Sequence, residues 1–517
     1  MVGISRELTV VRIPLKSAKH HFGATTSRGQ RPYNEDAYQA GTIEIPAFAK
    51  RRPMSLTRQQ TNMGTSADSA SGDPQVFYYG VFDGHGGSEC SEFLRDRLHT
   101  YVEESAQMFE LQSSLKRREG EITAFGQSRG GTGTAAARDT SEAAAERQST
   151  DGSTDRSMDK STEETSIEPL GPLEPSTNGP KSESGIERKR KRAERTEQLQ
   201  RDLLRAWRDL VGGYYRRFKP EFFSSNSGGK GRVLVEDAKS TSDPPDSPKC
   251  SAIETVLEYA FLRADYEFVS AQASKAEDSV KDDRAINADD ILGDPARKQV
   301  IGGPKRFKGG STCSVALIST PTAMPYWHPS SPATLVTSHV GDTRILLCET
   351  STGLAVPTTT DHHPSHPREA DRMRRYAATF VTDSFGEERV LGLANTRAFG
   401  DMASKRIGVS AEPDITLVEM SPAQYSFIVL VSDGVSGTLS DQEIVDIVKE
   451  AKTPEDGARA VVAFATEVTT EGDNATALVV RLGGWERRSE GGVGSLGTKE
   501  MRDWRREEAL DPRTRRR

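Results

Sequence analysis

The chain has 517 residues, of which only 34% are apolar and 7% aromatic, and its mean hydropathy is −0.62. The length admits several domains, but with so little apolar content much of the chain must lie outside any core. Its 69 basic and 76 acidic residues leave a net charge of −7, without the basic surplus that draws nucleic acid or anionic lipid. Cys90, Cys250, Cys313 and Cys348 are scattered and form no CxxC pair, so neither a zinc site nor a disulfide framework is encoded and a reducing compartment fits.

In chain order, the first twenty residues carry Arg6, Arg12, Lys16 and Lys19 against Glu7 alone, a weak mitochondrial-presequence character. Pro14 interrupts any helix there and strand-like residues follow, so an ordinary first strand is the favoured reading. An intracellular protein is expected, with mitochondrial, cytosolic and nuclear locations all open. The spacing predicts strands over 76–82, 312–318, 334–340, 343–348, 426–431 and 475–482. Helices are predicted from near Ser88, along Leu199, Leu203, Leu204, Trp207, Leu210, Val211 and Tyr214, and from Ala252 to Ala271.

Polar stretches at 46–75, 110–196, 224–250 and 274–308 read as insertions into one domain spanning 20–485. Between Glu110 and Arg205 the one aromatic residue is Phe125, and ordering such sequence would cost about 1–2 kcal/mol per residue with little apolar surface to offset it. Arg188–Arg192 reads as a solvated lead-in to a helix, and residues 486–517 as a charged, unstructured tail. No apolar run approaches the ~20 residues of a membrane span; Phe427–Val431 is strand-sized. Many short strands with a few long helices predict an α+β fold of mainly antiparallel sheets covered by helices.

One pattern exceeds what packing requires. An apolar strand runs into an acid beside a glycine or small polar residue at Phe82-Asp83-Gly84, Val340-Gly341-Asp342 and Val431-Ser432-Asp433-Gly434. Gly472-Asp473-Asn474 precedes a strand, and Glu35-Asp36 lies beside another. If those strands share a sheet system, the acids converge on one edge, where their repulsion calls for a cation. Oxygen ligands with no Cys or His cluster select Mg²⁺ or Mn²⁺, and two ions about 3.5–4 Å apart need a bridging carboxylate, for which Asp83 is the natural candidate.

Singly, each Asp-Gly is above all a turn dipeptide. Asp83-Gly84-His85-Gly86-Gly87 is harder to assign to a turn, because these five residues cluster directly after a buried strand and before a helix. There the His85 imidazole suits protonation of a leaving alkoxide, and Arg31, four positions before Glu35, suits bidentate grip of a phosphate. His362, His363 and His366, among prolines, read as loop residues. The glycine-rich stretch Gly302–Thr312 lacks the Gly-Lys-Ser/Thr ending of a phosphate loop, and acids spread over more than 400 positions do not make a twelve-residue calcium loop.

Taken together, these residues resemble the type-2C, or PPM, family of metal-dependent protein phosphatases, in a fungal-type form with long insertions. The resemblance covers roughly 22–105 and 200–485. It rests on Arg31 with Asn34-Glu35-Asp36, Phe82–Gly87, Gly309–Thr312, Gly341–Arg344, Asp361–Pro364, Thr396–Asp401, Ser432–Gly434 and Asp473–Thr476, in family order. It implies a four-layer αββα fold with a central β-sandwich, acting as a monomer on phosphorylated protein without nucleic acid or a membrane span. By carry-over, two Mn²⁺ or Mg²⁺ ions would be held by Glu35, Asp83 and the Gly84 carbonyl, and by Asp83, Asp433 and Asp473. A water bridging them would attack phosphorus, with His85 as general acid and Arg31 on the phosphoryl oxygens. Asp342 would serve an outer metal, and Asp36 and Asp401 would stand behind the ligands. Gly437 departs from the family where an acid is common and bears on that outer metal; His363 and Phe399 replace the usual Lys and Leu. A catalytically silent binding module of the same fold would be expected to lose one of Glu35, Asp83, Asp433 or Asp473, and all four are present.

Overall fold

A computed structural model describes residues 21–50, 72–115, 185–231, 233–234, 249–250, 252–275, 301–375, 380–382, 388–390, 392–469, 472–488 and 496–511. The readings made for residues 1–20 and for most of the four polar stretches lie outside the described residues. Residues 1–116 and 190–517 make one compact unit, and of the other, 117–189, only the start of a helix is described.

The described elements run β1 Phe22–Ser27, β2 Ala37–Ile43, β3 Val76–His85, α1 Glu89–Met108, α2 Gly185–Leu210, β4 Val233–Leu234, β5 Lys249–Cys250 and α3 Ala252–Ala273. They continue with β6 Gly310–Ser319, β7 Ala333–Val340, β8 Arg344–Glu349, β9 Ala355–Pro357, α4 Pro367–Arg374, β10 Phe380–Thr382, β11 Glu388–Val390, β12 Phe399–Gly400 and α5 Met402–Lys405. Last come β13 Asp414–Met420, β14 Tyr425–Val431, α6 Asp433–Ser436, α7 Asp441–Glu450, α8 Pro454–Val468, β15 Ala475–Arg481 and α9 Leu496–Leu510.

Two antiparallel sheets carry the fold. One has the order β1-β15-β14-β8-β9; the other runs β13-β7-β6-β3-β2, with β12 also paired to β6. Strand β3 shows why its sequence reads as one apolar run: it is covered on both faces. Phe77, Tyr79 and Val81 point between the sheets, into a core shared with Ile318, Leu335, Ile345, Leu347, Ile428, Leu430 and Leu478. Tyr78 and Phe82, on the alternate face, meet α1, α2 and α3 through Leu94, Leu98, Trp207, Leu257 and Phe261. On the far side Phe427, Val429, Val431 and Val479 pack against Ile444, Val448, Val461 and Phe464 of α7 and α8. Helices, sheet, sheet, helices is the four-layer αββα order that was expected. Trp207, fully buried, stacks on Tyr215 at 4.3 Å and donates to the Leu262 carbonyl at 3.1 Å; truncating such a side chain costs about 3–5 kcal/mol.

Two boundaries differ from the sequence reading. Helix α2 begins at Gly185, so 185–196 is helical instead of inserted loop, and the basic run Arg188–Arg192 lies on that helix. From Ile186 to Leu210 there is neither Gly nor Pro, and Glu, Arg, Lys, Gln and Leu carry the helix beyond its buried stripe. The tail expectation for 486–517 also fails over Leu496–Leu510, which form α9. Thr498 donates to Asp446, Arg502 pairs with Glu450 at 2.8 Å, and Arg505 pairs with Glu443 at 3.0 Å, so the helix is fastened to α7 by polar contacts.

Candidate active site

The antiparallel register brings the acids to one end of the sandwich. The chain leaves β3, β7 and β14 there and enters β2, β6, β8 and β15: His85 lies opposite Gly310, Cys313 opposite Val340, and Val431 opposite both Arg344 and Ala477. A cavity of about 390 Å³ opens at that end. Its lining includes Arg31, Glu35, Asp83, Gly84, His85, Asp342, Asp401, Asp433 and Asp473. Of the ten residues singled out from sequence, Asp36 alone lies behind the lining, where its Oδ2 accepts from Thr476 Oγ1 at 2.7 Å.

Asp83, Asp342 and Asp433 each offer a carboxylate oxygen, all within 4.8 Å of one another. The Asp83 Oδ2 also accepts the Asp433 amide at 3.2 Å, tying the two sheets together at the site. Burial pushes the Asp83 carboxyl well above the usual range, and the charges of Asp433, Asp36 and Asp342 push it further. Burial does the same to Asp433, reinforced by Asp342 and Asp473. Asp36 is raised to about 6, by burial first. Carboxylates crowded in this way, without an interleaved Lys or Cys, match a hard divalent cation in donor chemistry, and its charge would relieve their repulsion. Gly84 is required by contact: a Cβ there would lie 2.5 Å from the Glu35 carbonyl oxygen.

His85 Nε2 donates to both Asp401 oxygens, at 3.0 and 2.9 Å. Burial opposes charge on this imidazole, but the bond to Asp401 and the neighbouring Asp342 and Glu35 charges outweigh it and raise its pKa. Asp401 is in turn held in a left-handed conformation, φ 44°, that costs a non-glycine residue of order 1–3 kcal/mol. Its surroundings impose it. The Asp401 amide donates to the Gly309 carbonyl at 2.9 Å, and the preceding Gly400 amide donates to Asp265 at 2.9 Å. Asp265 is fully buried and paired with the equally buried Lys405 at 2.6 Å. Arg31, with its side chain 56% exposed at the rim, donates to Asp473 at 2.9 Å.

Sequence reasoning gave no role to three residues that the structure places here. Asn474 accepts the Glu35 amide at 2.7 Å and donates to the Arg28 and Tyr33 carbonyls, fixing the N-terminal loop against β15. Asn395 donates to Asp342 at 2.7 Å. Asp265 lies on a helix far from any motif. Asparagine at a turn carries no distinguishing signal, and a lone helical Asp carries less. His362 is buried, accepts from the Gly341 amide at 2.9 Å and faces Asp414 at 3.3 Å; it does not line the cavity.

Residues 251–474, which take in Asp342, Asp401, Asp433 and Asp473, match the family model of Protein phosphatase 2C. The chain is 27% identical over 481 residues to Protein phosphatase 2C homolog 4 of Schizosaccharomyces pombe, covering 93% of this chain and 84% of that one. It is 36% identical over 160 residues to Protein phosphatase 1K, mitochondrial, of Xenopus laevis, covering 31% of this chain and 42% of that one. Probable protein phosphatase 2C 44 of Oryza sativa subsp. japonica is 34% identical over 188 residues, 36% of this chain and 53% of that one. The fold and its acidic end are thus those of a metal-dependent serine/threonine phosphatase. The chain is similar to protein phosphatase 2C proteins over most of its length, with the family model itself matched at 251–474. Among the described residues no helix is long and apolar enough to cross a membrane.

Proposed function

We propose that the cavity at the end of the sandwich hydrolyses phosphoserine and phosphothreonine in protein substrates, with Mn²⁺ or Mg²⁺ bound as a pair. The observation that carries this reading is the approach of Asp83, Asp342 and Asp433 to within 4.8 Å, beside a histidine fixed by a carboxylate. Asp83, Glu35, the Gly84 carbonyl, Asp433 and Asp473 would hold the ions, and Asp342 would serve a further one. Such ions supply an acidified water and positive charge at the phosphoryl oxygens.

The side chains do the rest. His85, with its Nε2–H held by Asp401, would give the proton on its other ring nitrogen, Nδ1, to the departing serine or threonine oxygen. Arg31 stands at the rim, oriented by Asp473, with guanidinium edges free to take two phosphoryl oxygens. The test is turnover of an aryl phosphate and of a phosphothreonine peptide. Activity is expected to require Mn²⁺ or Mg²⁺ and to vanish in Asp83→Asn. In His85→Gln, kcat should fall by roughly 10²–10⁴-fold, with Mn²⁺ binding by calorimetry retained. Full activity in EDTA would sink the reading.

A further inference from the structure

A second cavity, of about 400 Å³, is lined by Arg217, Lys219, Lys230, Arg368, Arg372 and Arg375 around an aromatic floor of Tyr214 and Phe218. Arg397 also borders it, and the acids in its lining are Glu369, Asp371 and Glu412, so basic groups outnumber acidic ones seven to three. The deep charges are neutralised: Arg397 is closed by Glu369 at 2.7 Å and Asp414 at 2.9 Å, and Arg372 by Glu369 at 2.7 Å. Those at the mouth are less fully matched. Lys230 and Arg368 share Glu221, at 3.6 and 2.9 Å, while Lys219 and Arg375 are exposed and have no carboxylate within 4.0 Å among the described residues. Convergent guanidinium and ammonium groups over a concave, partly aromatic floor are what a phosphate dianion on a side chain requires.

The two cavities share a wall. Leu393, Ala394 and Asn395 line the acidic one and Arg397 lines the basic one. Asn395 reaches Asp342 on one side, while Thr396 and Arg397 reach Glu369 on the other, at 2.6 and 2.7 Å. One irregular segment, 393–397, therefore separates them, and a peptide lying across it could place a group in each. Among the described residues, the exposed large apolar side chains, such as Leu417, Met501 and Trp504, are not in its lining.

We propose that this cavity binds the phosphate of a second phosphorylated side chain in the same substrate, so that multiply phosphorylated segments are preferred. The inference rests on the catalytic reading above for its biological sense, but its test does not need turnover. Full-length Asp83→Asn protein would be titrated by fluorescence anisotropy with synthetic peptides carrying one phosphothreonine, or two at stepped spacings. The Lys219→Glu/Arg375→Glu double variant would be titrated alongside. At a permissive spacing the second phosphate should tighten binding on the order of tenfold, and the charge reversals should remove that gain. In the enzyme with Asp83 intact, the ratio of kcat/KM for the doubly over the singly phosphorylated peptide should fall toward one in the double variant. Absence of aryl phosphate turnover in the enzyme with Asp83 intact, beside an intact binding gain, would sink the catalytic reading alone. The proposal is overturned if the second phosphate adds nothing at any spacing. It is overturned equally if only inorganic phosphate, or only vesicles containing phosphoinositide, bind in a way the double variant abolishes.

Discussion

Glu369, 1% exposed, accepts from Arg397, Arg372 and Thr396. Burial works against its charge, but the two guanidinium groups outweigh burial and hold the carboxyl far below its ordinary range. A depressed folded-state pKa stabilises the protein above the unfolded value, about 4.3, and that contribution is lost as pH falls below it. Thermal unfolding followed from neutral to acidic pH should show stability dropping below about pH 4.5. In Glu369→Gln the protein should be less stable at pH 7 by about 3–5 kcal/mol, because Arg397 keeps only Asp414 and Arg372 loses its carboxylate, and the acid slope should be shallower. Asp414, depressed by the same arginine once burial is overcome, would keep part of that slope. At this scale the sequence was legible where chemistry clustered along the chain, as at Asp83–Gly87. It was silent where one polar residue acts by position, as with Asn395 and Asn474, whose partners lie 53 and 439 positions away.

Helix α9 shows how an element can escape detection. Its large apolar residues Met501, Trp504 and Leu510 are exposed, at 56%, 56% and 69%, so they outline no buried stripe. Docking is done by arginines: Arg505 and Arg506 lie over the Phe464 ring at 5.9 and 4.8 Å, and Arg502, nearly buried, pairs with Glu450. Pattern reading finds helices by their apolar periodicity and passes over one held by guanidinium groups. The central strands were found for the opposite reason, being buried on both faces and rich in β-branched and aromatic residues. Removing residues 496–517 should lower stability modestly, by about 1–3 kcal/mol, since each such pair is worth about 1 kcal/mol or less. Turnover of an aryl phosphate should survive. Differential scanning calorimetry of the shortened chain measures the first, and a loss of 5 kcal/mol or more, far above that ~1 kcal/mol per pair, would mean that α9 belongs to the core.

For the whole molecule, crowding of Asp83, Asp342 and Asp433 implies that the fold carries a repulsion which cations remove. Mn²⁺ should therefore raise the unfolding midpoint, approaching about 2.7 kcal/mol of added stability at a hundredfold excess over Kd. Asp83→Asn should blunt that gain, and a midpoint indifferent to Mn²⁺ would contradict the assigned ligands. The layered architecture was readable because alternation and burial are repeated in every strand. The meeting of strand ends was readable only as a conjecture, since register is a property of pairs of strands and no single segment encodes it. That meeting has a temporal side. The Glu35 amide bonds to Asn474, 439 positions later, so at 5–20 residues per second a ribosome needs roughly 20–90 s between making the two. For most of that interval Asp83 and His85 exist without Asp433, and until its last step without Asp473. On the proposed ligand set, a nascent or prematurely terminated chain would be catalytically mute, and the cell would meet the activity only in the finished chain.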